Sequence, residues 1–167
     1  MQVRILTHCD AEAFIALRRE RLIVAPRAFA ESVAEHDSLS PEAIAARLKI
    51  TSGDNFVVGA FVDDQLAGIA GFSRILRAKS RHKGVIWGVF VRENARGKGV
   101  GRALLQALIE HARREPGLEQ IQLTVSVGQT AARSLYLSLG FEVFGHERHA
   151  LKVDGEYVDE DHMVLWL

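Results

Sequence analysis

Thiols, net charge and long apolar runs are what this 167-residue chain has least of. Cys9 is its only cysteine, which excludes an internal disulfide and fits a reducing compartment. Lys plus Arg number 21 and Asp plus Glu number 21, so the formal net charge is zero. A general nucleic-acid-binding protein needs a basic surface and is not expected, although a local basic patch stays open. No apolar run approaches a membrane span, and the start of the chain lacks a signal-peptide pattern. A cytoplasmic protein without membrane contact is therefore expected. The 7 histidines show no HxxxH or paired spacing, so no metal site is expected. There is no internal repeat or low-complexity segment. What is present, 48% hydrophobic and 25% charged residues, is an ordinary globular balance, and the length suits one domain over residues 1–167.

The informative stretch runs from Val85 to Arg114. Val85–Val91 is apolar, β-branched and aromatic, which reads as a buried strand. Val100, Leu104, Ala107 and Leu108 then follow at helical spacing, with Gln106, Glu110, Arg113 and Arg114 on other faces. Between strand and helix lies Arg96-Gly97-Lys98-Gly99-Val100-Gly101. Alternating glycines at such a junction leave backbone N–H groups uncovered at the positive end of a helix dipole, a place that suits a diphosphate. A P-loop would need Ser or Thr after Lys98, where Gly99 stands. A dinucleotide fingerprint would need its third glycine one residue later than Gly101. The alternative to any ligand is a tight strand–helix turn.

Along the rest of the chain, Val3–Leu6 reads as a strand. Asp10 can cap a helix whose stripe is Ala13, Phe14, Ile15, Leu17 and Leu22, ending by Pro26. Phe29–Leu39 reads as irregular. Ser40-Pro41-Glu42 opens a second helix with Ser40 as N-cap, stopped by Ser52-Gly53-Asp54. Phe56–Val62 and Leu66–Ile75 read as a hairpin across Asp63-Asp64-Gln65, and Arg77–Lys83 as a basic loop. After the central helix, Pro116-Gly117 breaks the chain. Ile121–Val125 alternates as a strand. Thr130–Leu139 is a helix with Ala131, Leu135 and Leu139 on one stripe and Gly140 at C′. Phe141–Leu151 and Glu156–Trp166 form a last hairpin turned at Asp154-Gly155. Helices and strands share one chain without a linker, which predicts a single layered α/β domain.

Arg96, Gly99 and Gly101 fill the pattern Arg/Gln-x-x-Gly-x-Gly/Ala, and with the preceding Val89-Phe90-Val91 the segment resembles the acetyl-CoA-binding motif of the GCN5-related N-acetyltransferases, the GNAT superfamily. A second block agrees: Leu123-x-Val125, then Gln129, Ala132, Arg133, Leu135-Tyr136 and Gly140-Phe141. The resemblance covers the chain from about Phe56 to the end. It implies the GNAT fold, a mixed and mostly antiparallel central sheet flanked by helices. It also implies an enzyme that moves the acetyl group of acetyl-CoA to a primary amine of a small molecule, peptide or protein, without a metal. The alternative is a non-catalytic acyl-CoA-binding module of the same fold, and a homodimer is a further expectation from the resemblance.

Residue by residue, the resemblance implies that the cofactor is held by Val89, Phe90, Val91, Arg96, Gly97, Lys98, Gly99, Val100, Gly101, Arg102, Gln129 and Arg133. Lys98 and Arg102 are either phosphate partners or solvated residues at the helix start. Backbone groups at Val91 are implied to hold the thioester oxygen, and Tyr136 to act as general acid; on residue type alone Tyr136 is equally a core tyrosine. Gly88 within the strand marks a bulge, a close approach or simple packing near Trp87. The sequence departs from the family at Gln129, where Asn is usual, at Glu93, where Pro is frequent, and in lacking a glutamate on Val85–Val91. The general base therefore stays open among His82, Glu31, Glu35, Tyr157 and a water chain. The segments Phe29–Leu39, Arg77–Lys83 and Lys152–His162 are expected to line the acceptor side. Glu31, Glu35 and Asp37 in the first, and Asp154, Glu156, Asp159, Glu160 and Asp161 in the last, are expected to attract a cationic amine. Glu31, His82 and Tyr157 are the candidate acceptor-site residues.

Overall fold

A computed structural model describes residues 1–49 and 53–167. Its strands are β1 (Gln2–Ile5), β2 (Asn55–Val62), β3 (Gln65–Arg74), β4 (Lys83–Val91), β5 (Gln120–Ser126), β6 (Glu142–Val153) and β7 (Glu156–Trp166). They form one seven-stranded sheet in the order β1-β2-β3-β4-β5-β7-β6. Only β4 and β5 run parallel; the other neighbours are antiparallel. The helices are α1 (Ala11–Val24), α2 (Val33–Ser38), α3 (Pro41–Ala45), α4 (Val100–Ala112) and α5 (Thr130–Ser138). None of the described helices is long and apolar enough to cross a membrane.

The hydrophobic pattern places one core on each face of the sheet. On one face, Leu104, Leu105 and Leu108 of α4 pack with Phe56, Phe72, Ile121 and Leu123, and Tyr136 and Phe141 extend this core under α5. On the other, Phe14 and Leu17 of α1 and Ile44 of α3 pack with Val57, Ile69 and Phe90. With helices on both faces the middle strands are buried on both, which is why β2 and β3 read as continuous apolar runs. The tight turns follow their residues. Asp63 and Asp64 take φ of 49° and 60°, and Asp154-Gly155 takes 51° and 84°, the left-handed conformation that two-residue hairpins require.

Several expectations are corrected. Phe29–Leu39 is not irregular throughout, because it contains α2. There Ser32 Oγ accepts from Glu35 N–H at 3.2 Å while Glu35 Oε2 accepts from Ser32 N–H at 2.7 Å. This is a reciprocal capping box. Asp10 precedes α1 but does not cap it. Its carboxylate instead accepts from Arg4 at 2.7 and 2.8 Å and from Thr7 N–H, and the Arg4 guanidinium holds it well below the usual range, at about 2. Ala13 and Ala131 are exposed; the inward stripe of α5 is Ala132, Leu135, Tyr136 and Leu139. The helix opened by Ser40 ends at Ala45, with a 3-10 turn over Ala46–Leu48. The expected stop at Ser52 lies outside the described residues.

Candidate active site

The site begins with a strand that stops pairing. β4 and β5 pair only at Lys83–Gln120, Gly84–Ile121 and Val85–Gln122. Both strands continue beyond these pairs, β4 to Val91 and β5 to Ser126. The gap between them opens into a groove of about 500 Å³, lined by Trp87, Gly88, Val89 and Val91 on one side and by Leu123, Thr124, Val125 and Ser126 on the other. The Arg96–Arg102 turn, except Lys98, closes one end; Gln129, Ala132, Leu135 and Tyr136 form the α5 wall; Ala25, Ala28 and Phe29 lie at the other end.

A bulge at Gly88 decides which backbone groups face this groove. Gly71 opposes Trp87, but Ile69 opposes Phe90, so β4 carries one extra residue there. Gly88 itself takes φ of 64°, a conformation cheap only for glycine. The bulge resets the alternation: Ile86, Val89 and Val91 pack toward the α4 core, while Trp87 and Phe90 pack toward α1. Beyond it, Arg92 N–H donates to Ala67 O, and the Phe90 carbonyl lies against Gly68, so these groups point to β3. Alternation then turns the amides of Val89 and Val91 the other way, toward the side that β5 has left. The Val91 carbonyl is already occupied, accepting from Arg96 Nε at 3.0 Å.

At the closed end, Gly97 and Gly99 take φ of 73° and 79°, and a Cβ on either would meet nothing within 4 Å. Packing does not demand these glycines. They keep the backbone N–H groups at the start of α4 approachable. Arg102 lines the groove and donates to Ser138 Oγ at 2.6 Å. Lys98 is exposed and does not line the groove.

Tyr136 is buried in the α5 wall, edge-on to Phe141 with ring centroids 5.9 Å apart. Burial pushes its phenol far above the usual value. The hydroxyl has no hydrogen-bond partner among the described residues, so its proton is free for something in the groove.

The other expected site residues fare unevenly. Val89, Phe90, Val91, Arg96, Gly97, Gly99, Val100, Gly101, Arg102 and Gln129 all line the groove. Arg133 does not: its Nε donates to Asp161 Oδ2 at 2.8 Å, which turns it to the β7 side of α5. His82 precedes β4, at the opposite end of the strand and about 30 Å along the chain from Val91. Tyr157 is absent from the wall because it stacks on His149 at 4.1 Å near the β6–β7 turn. Glu31 is absent from the groove wall and is engaged, accepting from Arg18 Nη2 at 2.5 Å and Arg21 Nη2 at 2.9 Å.

Most of the carboxylates expected on the acceptor side have partners within the chain. Glu35 closes the α2 capping box, Asp37 pairs with Arg19 at 2.9 Å, Glu156 pairs with Arg27, and Asp161 pairs with Arg133 and His146. Glu160 stands opposite Ser126, a groove residue, with Oε1 3.4 Å from its Oγ, and burial raises its carboxyl above the usual range.

Sequence reasoning missed Arg18 and Arg21, 0% and 4% exposed. The signal was present: Phe14, Leu17, Arg18, Arg21 and Leu22 occupy one helical stripe, so two arginines stand where apolar residues belong.

Comparison with known proteins bears on the family and the fold. The family model described as Acetyltransferase (GNAT) family matches residues 18–141. An L-methionine sulfoximine/L-methionine sulfone acetyltransferase of Pseudomonas aeruginosa is 40% identical over 77 residues, 46% of this chain and 44% of that protein. The match thus spans less than half the length of that relative. A GCN5-related N-acetyltransferase of Kribbella flavida superposes with a TM-score of 0.85 at 29% identity, covering 99% of this chain and 97% of that one. The protein yncA of Salmonella typhimurium, solved with its cofactor acetyl-CoA, superposes with a TM-score of 0.84 at 23% identity, covering 100% and 94%. With the family model spanning well over half of its length, the chain belongs to the acetyltransferase (GNAT) family.

Proposed function

We propose that the chain moves the acetyl group of acetyl-CoA to a primary amine by direct attack of the amine, with Tyr136 as general acid. The observation that carries this reading is one groove that joins three features: the separation of β4 from β5 beyond Val85, the open glycine turn at one end, and the Tyr136 phenol in the wall. Bound there, acetyl-CoA supplies the acetyl group already activated as a thioester.

The residues of the chain supply the rest. The N–H groups of the Arg96–Gly101 turn and the positive end of α4 meet a diphosphate, and the missing side chains at Gly97 and Gly99 leave its approach clear. Arg102 adds a charge that Ser138 already holds in place. The amides of Val89 and Val91 face the vacated side of β4 and serve as preset donors to a carbonyl oxygen that gains charge. Tyr136 stays protonated because burial disfavours the phenolate, so it presents a hydrogen-bond donor to the departing sulfur throughout the neutral range. An amine acceptor is supported by the Pseudomonas aeruginosa relative, whose name is that of an L-methionine sulfoximine acetyltransferase.

The test is calorimetric titration with acetyl-CoA of the wild type and of Gly99→Asp. Aspartate at φ of 79° strains the turn and sets a negative charge against the diphosphate. A loss of affinity on the order of 100-fold is expected, with a fall in melting temperature of only about 2–4 °C from the strained φ, because nothing packs on Gly99. Equal affinity would remove the turn from the site. Release of CoA on addition of an amine would then separate the enzyme from a module that only binds.

A further inference from the structure

We infer that the buried arginine pair of α1 receives the carboxylate of the acceptor, so that the amine substrate is a free amino acid. This rests on the groove reading above and adds the substrate class to it.

The first ground is an unbalanced charge. Arg18 and Arg21 are both buried, yet they share a single carboxylate, because both donate to the same Glu31 Oε2. Arg47 approaches from a third side, its guanidinium 5.9 Å from the centre of the Trp87 ring that Arg18 also faces. Arg18 Nε, Arg18 Nη1 and Arg21 Nε are sealed from solvent with no acceptor among the described residues. A charged donor left this way costs several kcal/mol unless an anion completes it. The two cations share one anion.

The second ground is where the pair stands. Arg21 Nη1 lies behind Gly88: a Cβ on that glycine would come within 2.9 Å of it. The Arg21 guanidinium also lies 4.3 Å from the centre of the Phe29 ring. Gly88, Trp87 and Phe29 all line the groove at the end away from the glycine turn. Arg21 Nη1 has no protein acceptor among the described residues and, unlike Nε, is not sealed. Arg21 itself does not line the groove, but the absence of a side chain at Gly88 leaves its guanidinium edge directly behind the groove wall, one residue before Val89.

That adjacency selects the ligand. In an α-amino acid the amine nitrogen is two bonds from the carboxylate carbon. An anion held at Gly88 by Arg21 sets such an amine beside the strand end where Val89 and Val91 present their amides. A polyamine would bring only positive charge to a positive corner. A peptide N-terminus has an amide where the carboxylate should be, and would leave the guanidinium unpaired.

The experiment measures CoA release with the proteinogenic L-amino acids, each paired with its α-carboxamide, at saturating acetyl-CoA. At least one acid is expected to exceed its amide in kcat/KM by about 100-fold or more, the discrimination of a site with a charged hydrogen bond to lose. Arg21→Met is expected to bring that ratio to within about threefold by raising KM for the acid, with acetyl-CoA affinity unchanged. Arg21→Lys keeps the charge but not the fork, and is expected to retain part of the preference; it carries the test where the Met variant does not fold. Amides used as well as acids, or a preference that survives Arg21→Met, would overturn the inference. So would a chain that binds acetyl-CoA but turns over no free amino acid. Failure to bind acetyl-CoA at all would instead strike the groove reading beneath it.

Discussion

At the glycine turn the groove is met by backbone, and the charges around it, Lys98 and Arg96, sit in solvent. At the Gly88 end it is met by side chains, and the charges of Arg18 and Arg21 lie inside the protein. The two ends handle charge in opposite ways. The first borrows partial charges from peptide groups that cost nothing to keep dry, because water reaches them until a ligand arrives. The second keeps full charges out of water, and burial with mutual repulsion lowers the Arg18 guanidinium to about 10. An exposed backbone site tolerates damage with little loss of stability, whereas a buried ionic one is part of the core that holds α1, α2 and the sheet together.

The largest effect that tests this contrast is on stability. Glu31→Gln removes the one carboxylate that Arg18 and Arg21 share. It is expected to cost about 3 kcal/mol, the range for breaking a buried pair, and thus to lower the melting temperature by roughly 6–12 °C for a domain of this size. Gly99→Asp at the other end should lower the melt by only about 2–4 °C, the cost of the strained φ, while destroying cofactor affinity. Equal melts for Glu31→Gln and the wild type would show that the arginine end is not a charge-balanced part of the core, and the contrast would fail.

Tyr136 sits between the two ends and belongs to neither. Its replacement by Phe keeps the edge contact with Phe141 and removes only the hydroxyl. It is expected to lower kcat by about 100-fold and to leave acetyl-CoA affinity alone, since the lost group acts on the departing sulfur. The sign of the pH dependence follows from burial. A phenol pushed upward remains in its acid form as pH rises, so the wild-type kcat should show no alkaline loss from Tyr136 up to about pH 10. An unchanged rate in Tyr136→Phe at every pH would take the residue out of the mechanism.

The contrast also explains what the sequence disclosed. The glycine turn was legible because it depends on local spacing: positive φ at Gly97 and Gly99, a strand before and a helix after, all within one short stretch. The succession of elements along the chain and both hairpins were legible for the same reason. The Gly88 end was not, because Arg21, Phe29 and Gly88 come together only through the packing of α1 on β4. Charged residues in loops read as solvated or as ligand-facing when their partners cannot be seen, so the partners of Glu31, Asp37 and Glu156 and the stacking of Tyr157 on His149 were not legible. Two local signals were nevertheless present. Ser32-x-x-Glu35 spelled a capping box inside a stretch taken for loop, and Arg18 and Arg21 interrupted an apolar stripe. Arg133 illustrates the opposite failure: its motif position placed it on the cofactor, whereas Asp161 from a distant strand claims its guanidinium.

The smallest effect concerns Lys98, and it decides what the glycine turn is made of. If peptide groups hold the diphosphate, a solvated lysine beside them adds only a screened attraction. Lys98 is exposed, lies outside the groove lining, and has to give up side-chain freedom to reach in. Lys98→Ala is therefore expected to weaken acetyl-CoA by about threefold or less at low salt, the scale of an exposed ion pair, and by nothing measurable near 0.5 M salt. Arg102, which lines the groove and is anchored on Ser138, should matter more in the same titration. A loss of 30-fold or more in Lys98→Ala, persisting in salt, would mean that side-chain charge holds the diphosphate at this end as it is inferred to hold a carboxylate at the other.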